Sequence, residues 1–367
     1  MKKFLMLVVL GSIMQTACSA DLQLDLLELP PGFEIHVYAD GVVNARQMAL
    51  GDDDTVFVGS RREGKVYALT DSDGDQVAEQ VRVIADGLER PSGLEFRDGS
   101  LYVGAINRIL RYDDIENRLD SPPEPVLVTD KLPTEGHHGW KYLRFGPDGR
   151  LYIPVGAPCN ICDRDGFAEI RRMNADGTGM EVYARGVRNS VGLAFHPDTG
   201  ELWFTDNGRD MMGDDMPSCE LNHAPRAGLH FGFPYCHQGD TPDPEFGEGR
   251  SCADYEPPAL NLGPHVAPLG LAFYTGDMFP AEYRGQLFVT EHGSWNRSSK
   301  IGYRVKLVTF DEQGAVAGQE VFASGWLQDQ DNWGRPNDVL QMPDGALLVS
   351  DDQAGVIYRI SHTGAGG

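Results

Sequence analysis

The chain has 367 residues and a formal net charge of −24 at neutral pH, with 55 Asp and Glu against 31 Lys and Arg. So acidic a surface repels nucleic acid and anionic lipid, and no nucleic-acid partner is expected. The length can bury a sizeable core, and no segment approaches the roughly 20 apolar residues of a membrane-spanning helix.

Met1-Lys2-Lys3, an apolar run from Phe4 to Leu10 and small residues up to Ala20 read as an export signal. Cleavage after Ala20 would release a periplasmic or secreted protein. Cleavage before Cys18, in Thr16-Ala17-Cys18-Ser19, would leave a lipid anchor on that cysteine. The expected organisation is a signal over 1–20 (1–17 if lipidated), one domain over 21–361 and a short tail over 362–367.

Beyond the signal, helical periodicity is scarce, and short β-rich runs are separated by Gly, Pro and Asp turns. Phe33 to Ala39 is a strand outside any complete repeat. A hairpin unit then recurs: an apolar strand, a turn, and a second apolar strand. The paired runs are Met48–Leu50 with Val56–Val58, Gly93–Phe96 with Leu101–Val103, and Leu143–Phe145 with Leu151–Ile153. They continue as Gly192–Phe195 with Leu202–Phe204, Gly270–Phe273 with Leu287–Val289, and Asp338–Leu340 with Leu347–Val349. Third strands follow several of them, at Lys65 to Leu69, Arg108 to Tyr112 and Val356 to Ile360. Six such units predict an all-β, six-bladed β-propeller, its ring closed by Phe33–Ala39 pairing with the last blade. The stretch from Asp206 to Pro268, rich in Gly, Pro, His and Cys, breaks the rhythm. It is expected to be an insertion between blades 4 and 5 that covers the mouth of the propeller.

Cys159-Asn160-Ile161-Cys162 lacks the following His that covalent haem needs and a second ligand pair for zinc. In an exported chain the pair reads as a loop disulfide. Cys236 and Cys252 are expected to staple the long stretch, leaving Cys219 free. Asp71-Ser72-Asp73-Gly74-Asp75 departs from the EF-hand pattern at Gln76 and Arg82, and reads as a tight turn.

Candidate chemistry gathers where loops enter strands. His137 and His138, in Glu135-Gly136-His137-His138-Gly139-Trp140, precede the third unit and offer a general base. Arg188-Asn189, Arg90 and Arg335-Pro336-Asn337 stand at equivalent entrances. Arginines converging there suit a multiply carboxylated ligand. Asp206-Asn207-Gly208-Arg209, Asp214-Asp215 and Glu220-Leu221-Asn222 offer carboxylates and turn carbonyls to a hard cation such as calcium.

On these motifs the chain resembles the soluble sugar dehydrogenases that depend on pyrroloquinoline quinone (PQQ), aldose and sorbosone dehydrogenases among them. The matching pieces are His138 before Phe145-Gly146-Pro147-Asp148-Gly149, Val187 to Phe195, Gly208 through Asn222, Phe231-Gly232-Phe233-Pro234, and Arg335 to Val339. Glu291-His292-Gly293-Ser294-Trp295-Asn296-Arg297 and the Cys159/Cys162 pair are most similar to the sorbosone branch. The resemblance implies His138 as catalytic base, with Arg188, Asn189, Arg335, Asn337 and His292 around the cofactor. It implies a calcium ion on the backbone carbonyls of Gly208 and Arg209, and Glu220 as ligand of a second, structural calcium. His137 and Trp140 would face the substrate, a sugar-type hydroxyl or hydrated aldehyde. Asn337 stands where the family has a second Arg, Val191 replaces a Gln, and no Lys matches the family's cofactor lysine. Electrons would leave to an external acceptor, a cytochrome or a quinone. A gluconolactonase-like hydrolase with one divalent metal, and a non-catalytic binding scaffold, are the alternative readings of such a propeller.

Overall fold

A computed structural model describes residues 22–364; the segment read as an export signal, with Cys18, lies outside them. Six four-stranded antiparallel units form the blades, one of them extended by a fifth strand. Blade 1 comprises Ala45–Leu50, Val56–Ser60, Val66–Thr70 and Gln80–Ala85. Blade 2 comprises Gly93–Arg97, Ser100–Gly104, Ile109–Tyr112 and Val126–Thr129. Blade 3 comprises Arg144–Phe145, Leu151–Val155, Glu169–Met173 and Glu181–Arg185. Blade 5 comprises Pro268–Phe273, Leu287–Glu291, Arg304–Phe310 and Val316–Ala323. Blade 6 takes three strands from the C-terminus, Pro336–Gln341, Leu347–Asp351 and Val356–His362, and its fourth from Phe33–Ala39. That strand runs antiparallel to the last one, from Phe33 opposite His362 to Ala39 opposite Ile357. The expected closure is therefore present.

The burial pattern explains why the second strands were so readable. Val56–Ser60, Leu151–Val155, Leu202–Asp206, Leu287–Glu291 and Leu347–Asp351 are buried at every residue. Neighbouring blades cover both faces, so alternation gives way to short continuous apolar runs. Outer strands such as Val126–Thr129 face solvent, and Val126 and Leu127 there are exposed. Turn chemistry fixes the register. Asp98 and Gly99 both take positive φ, 51° and 74°, between paired Arg97 and Ser100, the two-residue hairpin turn that matches strand twist. Polar side chains tie the inner strands together across the ring. Asp338 accepts from Tyr142 Oη at 3.1 Å and from the Met48 amide at 2.8 Å. Gln47 donates to Leu143 O at 2.7 Å and accepts from the Leu94 and Leu143 amides.

The expected insertion between blades 4 and 5 is corrected. Ser218–Ala224 and Leu260–Pro264 are the third and fourth strands of blade 4, beside Leu193–Phe195 and Leu202–Asp206. The irregular segment is 225–259, inside that blade. Its Leu229–His230 adds to blade 3 as a parallel fifth strand, and it lines no part of the central cavity. Ser218–Ala224 buries Ser, Glu and Asn side chains, so it lacks the apolar run that marks the other blades. Both expected disulfides, Cys159–Cys162 and Cys236–Cys252, are formed, and Cys219 is free and buried.

Candidate active site

In an antiparallel blade, the connection between strands two and three and the connection into the next blade emerge at the same end. These connections enclose a cavity of about 260 Å³. Blade 1 contributes Arg46 and Arg61, and the entry to blade 3 contributes His137, His138 and Trp140. The entry to blade 4 contributes Arg188, Asn189 and Val191, and that blade's loop adds Asn207, Gly208 and Asp210. His265, His292 and Trp295 complete the wall toward blade 5.

His138 is 9% exposed, whereas His137 lies exposed at the rim. The His138 backbone sits at φ 48°, a conformation uncommon for a residue with a side chain. Gly156 makes room for it, because a Cβ there would lie 2.7 Å from both Cβ and O of His138. Nδ1 is 2.8 Å from Ala157 O. A carbonyl only accepts, so Nδ1 carries the proton and Nε2 keeps its lone pair. Burial, then the Arg188 charge and His137, hold this imidazole well below its ordinary pKa, against the pull of the Ala157 carbonyl. It is neutral at pH 7 and competent to accept a proton.

Arg188 is buried and immobilised. The Asp206 carboxylate accepts the backbone amides of Arg188 and Asn189 at 2.7 and 2.6 Å. The guanidinium donates to Asn160 O and Oδ1 (both 2.9 Å), Asn207 O (3.0 Å), Gly208 O (2.9 Å) and Asp210 Oδ2 (3.3 Å). All five N–H groups are thus committed to protein acceptors. Arg188 acts on the cavity as a fixed charge.

A second cationic group surrounds one carboxylate. Asp352, 2% exposed, lies 2.9 Å from Arg335, 3.0 Å from His292 Nε2, 3.4 Å from Arg46 and 3.7 Å from Arg61. Burial opposes its charge, but His292, Arg46 and Arg335 outweigh burial and keep its pKa far below the usual carboxylate range. His292 is pushed down to about 4 by burial, against the attraction of Asp352, so it is the neutral donor of the pair. Trp140 packs against the guanidinium groups of Arg46, Arg61 and Arg90 at 6.0, 5.4 and 5.8 Å from its ring centre. Arg90 donates to Gly136 O at 2.6 Å, bracing the His137–His138 loop. Several donors here are buried without a partner: Nε of Arg46, Arg61 and Arg335, Nε1 of Trp140 and Nδ2 of Asn337. Unpaired buried donors are rare and point to a missing acceptor.

The structure thus gathers His137, His138, Trp140, Arg188, Asn189, Gly208 and His292 around one cavity. Arg335 stands behind His292 and joins it through Asp352; Asn337 is buried and off the wall. Arg209 and Glu220 are also off it. The Arg209 side chain is buried on Asp243 at 2.5 Å and Glu245 at 3.2 Å. Glu220 faces a second, small pocket with Asp206, Asn207 and Gly208. Asp206 and Glu220 are paired across their strands, and burial pushes them up to about 7 and about 8. Asn222 Oδ1 beside them has no donor. Among the described residues, another carboxylate group, Asp71, Asp73, Asp75 and Glu79, is mostly solvent-exposed. Its Asp71 accepts the Gly74 and Gln76 amides as a turn residue does.

Arg46, Arg61 and Asp352 were not foreseen from sequence. A positional signal was available, because the residue just after each second strand faces this end: Arg61, Asn207, His292 and Asp352 in blades 1, 4, 5 and 6.

A sequence model of a family described as glucose/sorbosone dehydrogenase matches residues 104–359. The chain is 30% identical over 349 residues to an uncharacterized protein of Borreliella burgdorferi, covering 91% of this chain and 90% of that one. It is 27% identical over 190 residues to the aldose sugar dehydrogenase YliI of Escherichia coli, covering 50% and 45% of the two chains. The holo form of the pyranose dehydrogenase PQQ domain from Coprinopsis cinerea shares the fold, with a TM-score of 0.78 at 20% identity over 92% of this chain and 97% of that one.

Proposed function

The chain belongs to the glucose/sorbosone dehydrogenase family, and on that premise we propose that it oxidises a sugar-type hydroxyl or hydrated aldehyde, using PQQ and calcium. The observation that carries this reading is the cluster of Arg46, Arg61, Arg335 and His292 about one carboxylate, with buried donors left unpaired, across a cavity from an unprotonated histidine. The excess of positive charge and the vacant donors fit a multiply carboxylated ligand.

Bound PQQ, an ortho-quinone, would supply the hydride acceptor that no side chain provides. Arg46 and Arg61 would hold its carboxylates, with Asn189 and His292 beside them, while Arg335, joined to His292 through Asp352, and Asn337 would support them from behind the wall. His138 Nε2 takes the proton of the substrate hydroxyl as the C–H bond on the same carbon gives up hydride. The Ala157 carbonyl keeps the imidazole in the required tautomer and orientation. Arg188, fixed by five hydrogen bonds at the cavity lining, would offer a preorganised positive charge to the negative charge that hydride transfer develops. His137, exposed at the rim, and Trp140 are the residues assigned to substrate.

The calcium ligands proposed are the Gly208 and Arg209 carbonyls. Gly208 O accepts one bond from Arg188, which leaves a second lone pair. Glu220, with Asp206 and the undonated Asn222 Oδ1, offers the all-oxygen set of a structural calcium. An external cytochrome or quinone would reoxidise the cofactor, and the N-terminal signal would carry the protein to the periplasm or beyond. Intact-mass analysis from native cells tests that export; a retained Met1 would refute it.

The deciding experiment is reconstitution. Apoprotein given PQQ and calcium should acquire a bound-quinone absorbance and reduce an artificial dye with an aldose or with sorbosone. Lactone hydrolysis with a divalent metal and no PQQ would favour the hydrolase instead.

A further inference from the structure

We propose that Asn160, carried on the loop closed by the Cys159–Cys162 disulfide, is the positioning residue that holds Arg188 at the cavity wall, and that the disulfide holds Asn160 in place. The proposal rests on the PQQ reading above.

Asn160 lies in the connection between the second and third strands of blade 3, a stretch without strand pairing from Gly156 to Ala168. Arg188 lies in the connection into blade 4, and Asp210 in the loop after that blade's second strand. Asn160 ties all three. Its main-chain O accepts from Arg188 Nε at 2.9 Å, and its Oδ1 accepts from Arg188 Nη2 at 2.9 Å. The same Oδ1 accepts the Asp210 amide at 2.8 Å, and Nδ2 donates to Asp210 O at 3.0 Å. Two of the five guanidinium donors thus end on one residue. Without the amide side chain, Arg188 Nη2 keeps only the longer contact to Asp210 at 3.3 Å, and a long flexible side chain gains freedom to leave the wall.

What fixes Asn160 is covalent. The bridge leaves two residues between its cysteines, so the loop they close has little freedom of shape. A loop this short adds little global stability by chain entropy; the value of the bridge is local. The arrangement also reaches the base. The groups that bear on His138 are Arg188 from the neighbouring entry, His137 from its own, and the Ala157 carbonyl; Asp210 bears on His137. If Arg188 swings away, the positive charge that keeps His138 unprotonated weakens.

The test is PQQ titration of calcium-loaded full-length protein, by calorimetry and tryptophan quenching, with pH profiles of kcat/KM. Asn160→Ala should weaken PQQ binding by roughly 5- to 10-fold, the effect of loosening one fixed charge beside an anionic ligand, and shift the acidic limb of the profile to higher pH. Asn160→Asp, which keeps an acceptor for Arg188, should recover most of the affinity. The Cys159→Ser/Cys162→Ser variant should reproduce part of the loss while its melting temperature changes little. If Asn160→Ala does not fold, Asn160→Ser takes its place with the same expected direction. Wild-type protein that binds PQQ, with Asn160→Ala within twofold of it and an unmoved acidic limb, overturns the role of Asn160. Wild-type affinity in the double serine variant overturns the part assigned to the disulfide. Wild-type protein that fails to bind PQQ at all refutes the functional reading instead.

Discussion

His138→Ala removes an imidazole that is 9% exposed and makes one protein hydrogen bond, to Ala157 O at 2.8 Å. The ring itself lines the cavity, so its removal lets water reach the freed carbonyl, and the cost to stability should be about 1 kcal/mol, that of one ordinary hydrogen bond. The cationic cluster about Asp352 is untouched, and PQQ binding should persist. Turnover is another matter. A positioned general base is worth roughly 10²- to 10⁴-fold, and the exposed His137 has no carbonyl fixing its tautomer with which to replace it. His137→Ala should therefore act mainly on the Michaelis constant. The pH profile carries a second signature. Burial, Arg188 and His137 hold the His138 pKa well below its ordinary value, so the rate should stay flat as pH falls through about 6.5, where a free imidazole titrates, and decline only in more acid solution. Steady-state kinetics on both variants, after cofactor occupancy is checked by absorbance, decides the matter. Near-normal turnover in His138→Ala, or a larger kcat loss in His137→Ala, would refute the assignment.

Asp352→Asn should destabilise the protein on the order of 3 kcal/mol by stripping the counter-charge from buried Arg46 and its neighbours. Citrate or phosphate should raise the melting temperature of this variant more than that of wild type, and equal responses would contradict the anion-cradle reading. Acid should remove the share of the apoprotein's stability that His292 supplies: unfolded His takes its proton near 6.5, whereas His292 in the fold waits until about 4. That share is present above 6.5 and lost as pH falls, on the order of 3 kcal/mol by pH 4 for this group, so the stability gap between wild type and His292→Gln should narrow between pH 7 and 4.5; a gap that stays constant over that range would refute it. Asp206 and Glu220, raised to about 7 and about 8, should make metal-free protein less stable as pH climbs through that range. Calcium should therefore raise the melting temperature more at pH 8 than at pH 6, and chelation should reverse it; no response to calcium at either pH would count against the second site.

The blades were legible because their second strands are covered on both faces, so Val56–Ser60 and its five counterparts announce themselves as apolar runs between turns. The closing strand Phe33–Ala39 could be placed because it stood alone. His138 and Arg188 were legible as loop-entry motifs with a known resemblance. The third strand of blade 4 was not, since Ser218–Ala224 buries polar groups that pair across strands or line a pocket, and composition alone reads such a strand as irregular. Of the cationic cluster, Arg335 and His292 were legible as motif residues, whereas Arg46, Arg61 and Asp352 were not. Arg46, Arg61, Arg335 and Asp352 are up to 306 positions apart in a sequence of 367 residues, and closure of the ring brings them together. The commitment of every Arg188 donor to protein acceptors is likewise a property of three converging loops.

The measurement that bears most directly on the account is an anaerobic single turnover. Protein loaded with PQQ and calcium is mixed with excess aldose or sorbosone, with no electron acceptor present, and the bound-quinone absorbance is followed. The account predicts reduction of one cofactor per chain, at a rate that falls roughly 10²-fold or more in His138→Ala, with oxidised sugar formed in equal amount. An absorbance unchanged by every sugar tried, with the cofactor demonstrably bound, would contradict it.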